Sequence, residues 1–145
     1  MKNSEIKSEK EINRFVVVCI EQYALSMQFS SGEGYKTMHD NGVIKDLIDD
    51  YEDLHGMSTI YLNNYIGNIL GSHPVVVEDG KHQLAKTILI IKVIELIASN
   101  YKISLSEARD RLYNSPIIDL IDDDETGLYG DSALYIYSLY EQQTK

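Results

Sequence analysis

The pentapeptide Asp46-Leu47-Ile48-Asp49-Asp50 occurs again as Asp119-Leu120-Ile121-Asp122-Asp123, and that duplication decides how the chain is built. Around it, Ile20, Glu21, Ala24, Ser30 and Glu33 pair with Ile94, Glu95, Ala98, Ser104 and Glu107 at a constant offset of 74. The offset falls to 73 at Asp46/Asp119 and returns to 74 at Gly56/Gly130, Ser58/Ser132 and Tyr61/Tyr135. Polar residues match along with apolar ones, which composition alone does not produce, so the register predicts two copies of one helical unit of roughly 60–70 residues. A unit of that size buries only a marginal core, and the two copies are therefore expected to pack as one compact bundle. The expected organisation is residues 1–70 as a first repeat with a polar N-terminal extension, 71–80 as a linker, and 81–145 as a second repeat.

Within each copy the apolar spacing is helical. From about Lys7 to Met27, the residues Ile12, Phe15, Val16, Cys19, Ile20, Tyr23 and Met27 fall at steps of three and four, the period of an amphipathic helix. The β-branched run Val16 to Val18 opposes that period. Gln83 to Asn100 carries a similar run, but Lys92, Glu95 and Ser99 form one narrow polar stripe, which predicts a mostly buried helix. Ser30 with Glu33, and Ser104 with Glu107, have the spacing of a capping box and predict the start of a second helix. Asn41-Gly42 and Ser115-Pro116 predict its end, because Gly accepts the left-handed conformation and Pro cannot continue a helix. Val43–Ile48 and Ile117–Ile121 then form short apolar turns, followed by an acidic loop and a last helix begun near Ser58 or near Asp131 and Ser132. The predicted class is all-α, with three to four helices in each repeat.

The chain carries 13 Lys plus Arg against 23 Asp plus Glu, a net charge of −10, which opposes binding to nucleic acid and to anionic membranes. The apolar stretches are too short or too interrupted by charge to span a bilayer. One cysteine, Cys19 inside an apolar run, excludes an intramolecular disulfide and suggests a structural core thiol in a reducing compartment. With a polar N-terminus and no secretory apolar segment after it, the expected location is the cytoplasm.

No nucleophile elbow, phosphate loop, H-E-x-x-H or paired-Cys motif occurs. His39, His55, His73 and His82 lack the spacing of a helical metal pair. A calcium loop begun at Asp122 would place Ala133 where a bidentate Glu is required, so Asp122, Asp123, Asp124 and Glu125 read first as a solvated acidic loop. The expectation is therefore no catalytic residue, no cofactor and no metal. The last helix reads Ala-Leu-Tyr-Ile-Tyr-Ser-Leu-Tyr from Ala133, apolar or aromatic on nearly every side. Such a helix is covered by the core, or it uses Tyr135, Tyr137 and Tyr140 as a partner surface.

Cys19-Ile20-Glu21-Gln22-Tyr23-Ala24, Gly42-Val43-Ile44, Tyr51 to Gly56 and Tyr61-Leu62 together resemble a family of short uncharacterised bacterial proteins, with a C-I-E-x-Y-A start and a late L-H-[TG] motif, over about residues 12–70. The second copy resembles a companion protein of the same gene neighbourhoods and departs from the first by having Leu128-Tyr129 where Leu54-His55 stands. The resemblance implies an antitoxin encoded beside a toxin of ADP-ribosyltransferase-like fold, and it transfers no functional residue.

The expected function is therefore a non-enzymatic binding module that neutralises such a toxin. Contact residues are expected at His55, Tyr61, Asp122, Asp123, Asp124, Glu125, Tyr129, Tyr135, Tyr137 and Tyr140. An autoregulator binding operon DNA, a small enzyme with an unrecognised site, and a homodimer formed through the last helix stay open as alternatives.

Overall fold

Val16, Val17, Cys19, Ile20, Tyr23 and Ala24 are all almost fully buried, although together they occupy more than one narrow stripe of a helix. They lie on α1 (Lys2–Met27), which is buried on two sides because it packs against both α2 (Ser31–Asp40) and α5 (Thr59–Leu70). Tertiary burial thus overrides the weak helix propensity of Val16 to Val18. The computed structural model describes residues 2–74, 82–123, 127 and 132–144, with the side chains of residues 2–8 set aside.

Every regular element among the described residues is an α-helix, and the chain divides into two compact units between residues 78 and 79. The first unit continues through α3 (Val43–Asp49) and the one-turn α4 (Tyr51–Leu54). The second holds α6 (Gln83–Tyr101), α7 (Leu105–Tyr113), α8 (Pro116–Asp122) and α9 (Ala133–Thr144), with α6 packing on both α7 and α9. No helix among the described residues is long and apolar enough to cross a membrane.

Both long helices end in the same way. Gln28 and Lys102 take left-handed backbone angles (φ 59° and 56°), while the amides of Phe29 and Ile103 donate to the carbonyls of Ala24 and Ala98 at 2.8 and 3.1 Å. This is the bonding of a Schellman end, which satisfies late carbonyls of the helix and turns the chain sharply. The next helix then starts on a serine cap: Ser30 Oγ accepts from the Glu33 amide at 3.1 Å, and Ser104 Oγ accepts from the Glu107 amide at 3.0 Å. Ser30 Oγ also donates to the Glu33 carboxylate at 3.3 Å. The second helices end at Asn41 and Asn114, ahead of left-handed Gly42 and of Pro116 in the first turn of α8.

Two expectations change. The acidic stretch after α3 is not all loop, because Tyr51–Leu54 forms a helical turn whose Leu54 and His55 amides donate to Asp50 and Tyr51 carbonyls at 3.0 and 2.9 Å. The first unit therefore has five helices among its described residues. Residues 71–74, expected to begin the linker, instead fold back on α5: the Ser72 amide donates to the Gly67 carbonyl at 2.9 Å, and Ser72 Oγ lies 2.9 Å from Tyr23 Oη. Residues 75–80, the rest of that linker, lie outside the described residues.

At the crossing of α1 and α2, a Cβ on Gly34 would stand 2.7 Å from Ala24 Cβ. Ala24 is short and fixed to the helix backbone, so it has no flexible end to move aside. Gly34→Ala is expected to destabilise the first unit by about 1–3 kcal/mol through overpacking, whereas Gly56→Ala, which meets nothing within 4 Å, should change stability by less than about 0.5 kcal/mol. Ser30→Ala and Ser104→Ala should each cost about 1 kcal/mol through loss of the cap. Urea unfolding followed by circular dichroism measures all four.

Candidate protein-interaction surface

The last helix of each unit begins with the same local chemistry. Ser58 Oγ accepts from the Tyr61 amide at 3.1 Å, and Ser132 Oγ accepts from the Tyr135 amide at 3.2 Å. In both helices the first-turn side chains after the cap are left uncovered by the rest of their unit. Ile60 and Tyr61 are 56% and 48% exposed, and Leu134 and Tyr135 are 69% and 49% exposed. Isolated exposed apolar residues are common, but here a bulky aliphatic followed by a tyrosine occupies the same capped turn in both units.

In the first unit the corner continues into α4 and α3. Met57 is also exposed. His55 is exposed and stacks on Tyr51, with ring centroids 4.6 Å apart and planes 11° off parallel, while its Nδ1 lies 2.8 Å from the Tyr51 carbonyl oxygen. Tyr51 in turn packs edge-on against Phe15. One turn beyond Tyr61, Tyr65 Oη donates to Asp50 Oδ2 at 2.9 Å. Burial, this hydrogen bond and the nearby Asp50 and Asp46 charges push the Tyr65 hydroxyl up to about 12. Burial, then Glu11 and Glu52, also raise the Tyr51 hydroxyl above its ordinary range. The tyrosines of this corner are thus set among carboxylates, and Lys45, paired with Asp49 at 3.4 Å, is engaged elsewhere.

In the second unit the corner borders a cleft of about 490 Å³ lined by Ala85, Ile88, Leu89, Lys92, Ser132, Ala133 and Leu134. Leu84 and Ile88, on the exposed side of α6, are 68% and 43% accessible. Asp122 closes α8, and its carbonyl oxygen accepts from Lys86 Nζ at 3.1 Å, while exposed Asp123 caps that helix through its own amide. Asp124, Glu125 and Tyr129 lie outside the described residues.

The remaining tyrosines proposed as contacts belong to the core. Tyr137 and Tyr140 are 7% and 2% exposed, with centroids 6.5 and 6.1 Å from the ring of Tyr101, over which Arg111 sits at 5.9 Å. They face α6, and only Tyr135 of the three is open to a partner. Burial, with the Glu141 carboxylate adding, pushes the Tyr137 hydroxyl up to about 12. Burial likewise raises the Cys19 thiol to about 12, which keeps it protonated and unreactive. Among the described residues, no three His, Cys, Asp or Glu side chains converge as metal ligands.

Met57, Ile60, Leu84 and Leu134 were not among the expected contacts. Aliphatic residues at a helix start carry no sequence signal of exposure; the repeat register, which aligns Ile60 with Leu134, was the one available hint.

A family model described as "Protein of unknown function (DUF3791)" matches residues 14–71. Most of the first unit is thus similar to an uncharacterised family, and the second unit lies outside the match. No curated protein and no solved structure matches the chain.

Tyr137→Ala and Tyr140→Ala should each lower stability by about 3–5 kcal/mol, as large-to-small changes in a packed core do. Tyr135→Ala should lie within about 0.5 kcal/mol of the parent. Equal losses at all three positions in chemical denaturation would contradict this division. The tyrosine shifts also set an alkaline limit. A hydroxyl whose folded pKa is raised to about 12 favours the neutral folded form. Its stabilisation is complete below the unfolded value of about 10 and is lost as pH rises through the folded one. Phenolate absorbance should show a late ionisation near 12, with one late step removed by Tyr65→Phe and another by Tyr137→Phe.

Proposed function

We propose that the chain is a non-enzymatic protein-binding module, an antitoxin that neutralises an ADP-ribosyltransferase-like toxin by direct binding in the cytoplasm. The observation that carries this reading is the recurrence of a half-exposed aliphatic–tyrosine pair, Ile60-Tyr61 and Leu134-Tyr135, on a serine-capped corner in each unit. Tyrosine at such a corner offers a large contact area at low cost in side-chain entropy, with a polar tip that tolerates water when unbound. The shared offset, the matching caps and the matching ends of α1 and α6 support reading the units as two copies of one design. Each copy then brings one such corner.

The toxin assignment rests on the resemblance over residues 12–70, and the acidic surplus favours a protein partner over nucleic acid. Steric cover of the toxin's active cleft is sufficient for neutralisation and requires no catalytic group on this chain.

Co-expression with the product of the adjacent gene should yield a complex that co-elutes on a sizing column and should relieve the growth arrest caused by that product alone. Separate elution together with undiminished toxicity would reject the proposal.

A further inference from the structure

The acids of the first unit are arranged unlike an ordinary solvated surface. Asp46, Asp50, Glu52 and Asp53 lie on α3, on α4 and at the junction between them, and none of the four makes an ion pair among the described residues. Lys45, the cation nearest in sequence, pairs with Asp49 at 3.4 Å on the open surface of α3. Asp50 adjoins the exposed apolar corner directly, for Tyr65 joins it at 2.9 Å and is one helical turn from Tyr61 on the same face of α5, while Glu52 and Asp53 lie on the turn whose Leu54 carbonyl accepts from the Met57 amide at 3.0 Å. Met57 and Ile60 flank that face at 44% and 56% exposure.

An apolar patch with a one-signed rim selects its partner on both counts. The patch gains by burial, and the rim gains only if the incoming surface carries cations.

We propose that the α4–α5 corner, Met57, Ile60 and Tyr61 rimmed by Asp46, Asp50, Glu52 and Asp53, docks a partner-protein segment that carries Lys or Arg beside an apolar anchor side chain. The inference rests on the protein-binding reading above and adds the surface and the chemistry of the segment. The anchor covers Ile60 and Tyr61, and the cations sit over the acids beyond Tyr65. Asp50 is already oriented by the Tyr65 hydroxyl, so one carboxylate of the rim is held in place before the partner arrives. Association should be fast and salt-dependent, because like-signed acids at one corner steer a basic segment toward it.

Site-specific photo-crosslinking in the full chain tests this. Benzoylphenylalanine replaces Tyr61 in one variant and Tyr135 in another, both exposed positions. Each is irradiated in clarified lysate of the native host, and the crosslinked peptide is sequenced by mass spectrometry. The expected adduct at Tyr61 maps to a segment with Lys or Arg within one turn of a large apolar residue. Its yield should fall about tenfold when Asp46→Asn, Asp50→Asn, Glu52→Gln and Asp53→Asn are combined, the size expected for lost charge complementarity. Raising the salt with the unaltered acids should produce the same fall, which keeps the test independent of how the fourfold variant folds. An adduct lacking basic residues, or a yield indifferent to both charge and salt, overturns the inference. Adducts at Tyr135 alone overturn it while leaving the protein-binding reading intact, and adducts at neither position overturn both.

Discussion

At Gln28 and Lys102 the chain adopts a backbone conformation that L-residues ordinarily avoid, at a cost of about 1–2 kcal/mol each. The cost is offset locally by the amide-to-carbonyl bonds that close on Ala24 and Ala98, and globally by what the reversal permits. Because the turn is tight, α2 and α7 return onto the helices they leave, and the second wall of each core is in place within a few residues. The serine caps at Ser30 and Ser104 fix where those helices begin, and hence which of their faces meets α1 or α6. Everything later in each unit is laid on the pair so formed.

That dependence explains what could be read from sequence. The caps were legible because their chemistry is local: a hydroxyl and a carboxylate three residues apart satisfy a helix start with little help from the rest of the fold. Gly42 and Pro116 were legible for the same reason. The left-handed residues were not, since Gln and Lys carry no mark of that conformation and take it here only because the flanking helices leave no other path. The helical turn Tyr51–Leu54 was hidden because four residues cannot display a period. Its support comes from the tertiary contact of Tyr51 with Phe15 and from the local stack of His55 on Tyr51.

The last helix shows how patterning fails when contrast is missing. Ala133 to Tyr140 is apolar or aromatic nearly throughout, so the sequence does not say which of Tyr135, Tyr137 and Tyr140 faces inward. Packing on α6 decides it: Tyr137 and Tyr140 lie against Tyr101, and Tyr135 emerges at the capped end. Exposure at this corner follows from what packs on the start of α9 and not from polarity, for Leu105 and Ile117, equally early in α7 and α8, are buried. The same logic exposes Ile60 and Tyr61 in the first unit.

The two units diverge both at a buried crossing and at the surface. Where Gly34 admits the backbone of α1 closely, the register-equivalent position in the second unit is Ala108, fully buried, so the two crossings differ in side-chain volume while keeping the same order of helices. In the first unit Asp46, Asp50, Glu52 and Asp53 repel one another without an ion pair among the described residues. Mutual repulsion among acids at or near the surface costs the fold little in salt, but it provides no stability either. A chain that needed only solubility would distribute such charges. Gathering them beside exposed Met57, Ile60 and Tyr61 is a local breach of good surface design, and breaches of that kind concentrate where a protein binds something else. The duplicated Asp-Leu-Ile-Asp-Asp segment therefore buries a different residue in each unit. Leu47 of α3 and Ile121 of α8 are fully buried, whereas Leu120, which matches Leu47 in the pentapeptide, is exposed, so the two short helices turn the same five residues differently toward their cores.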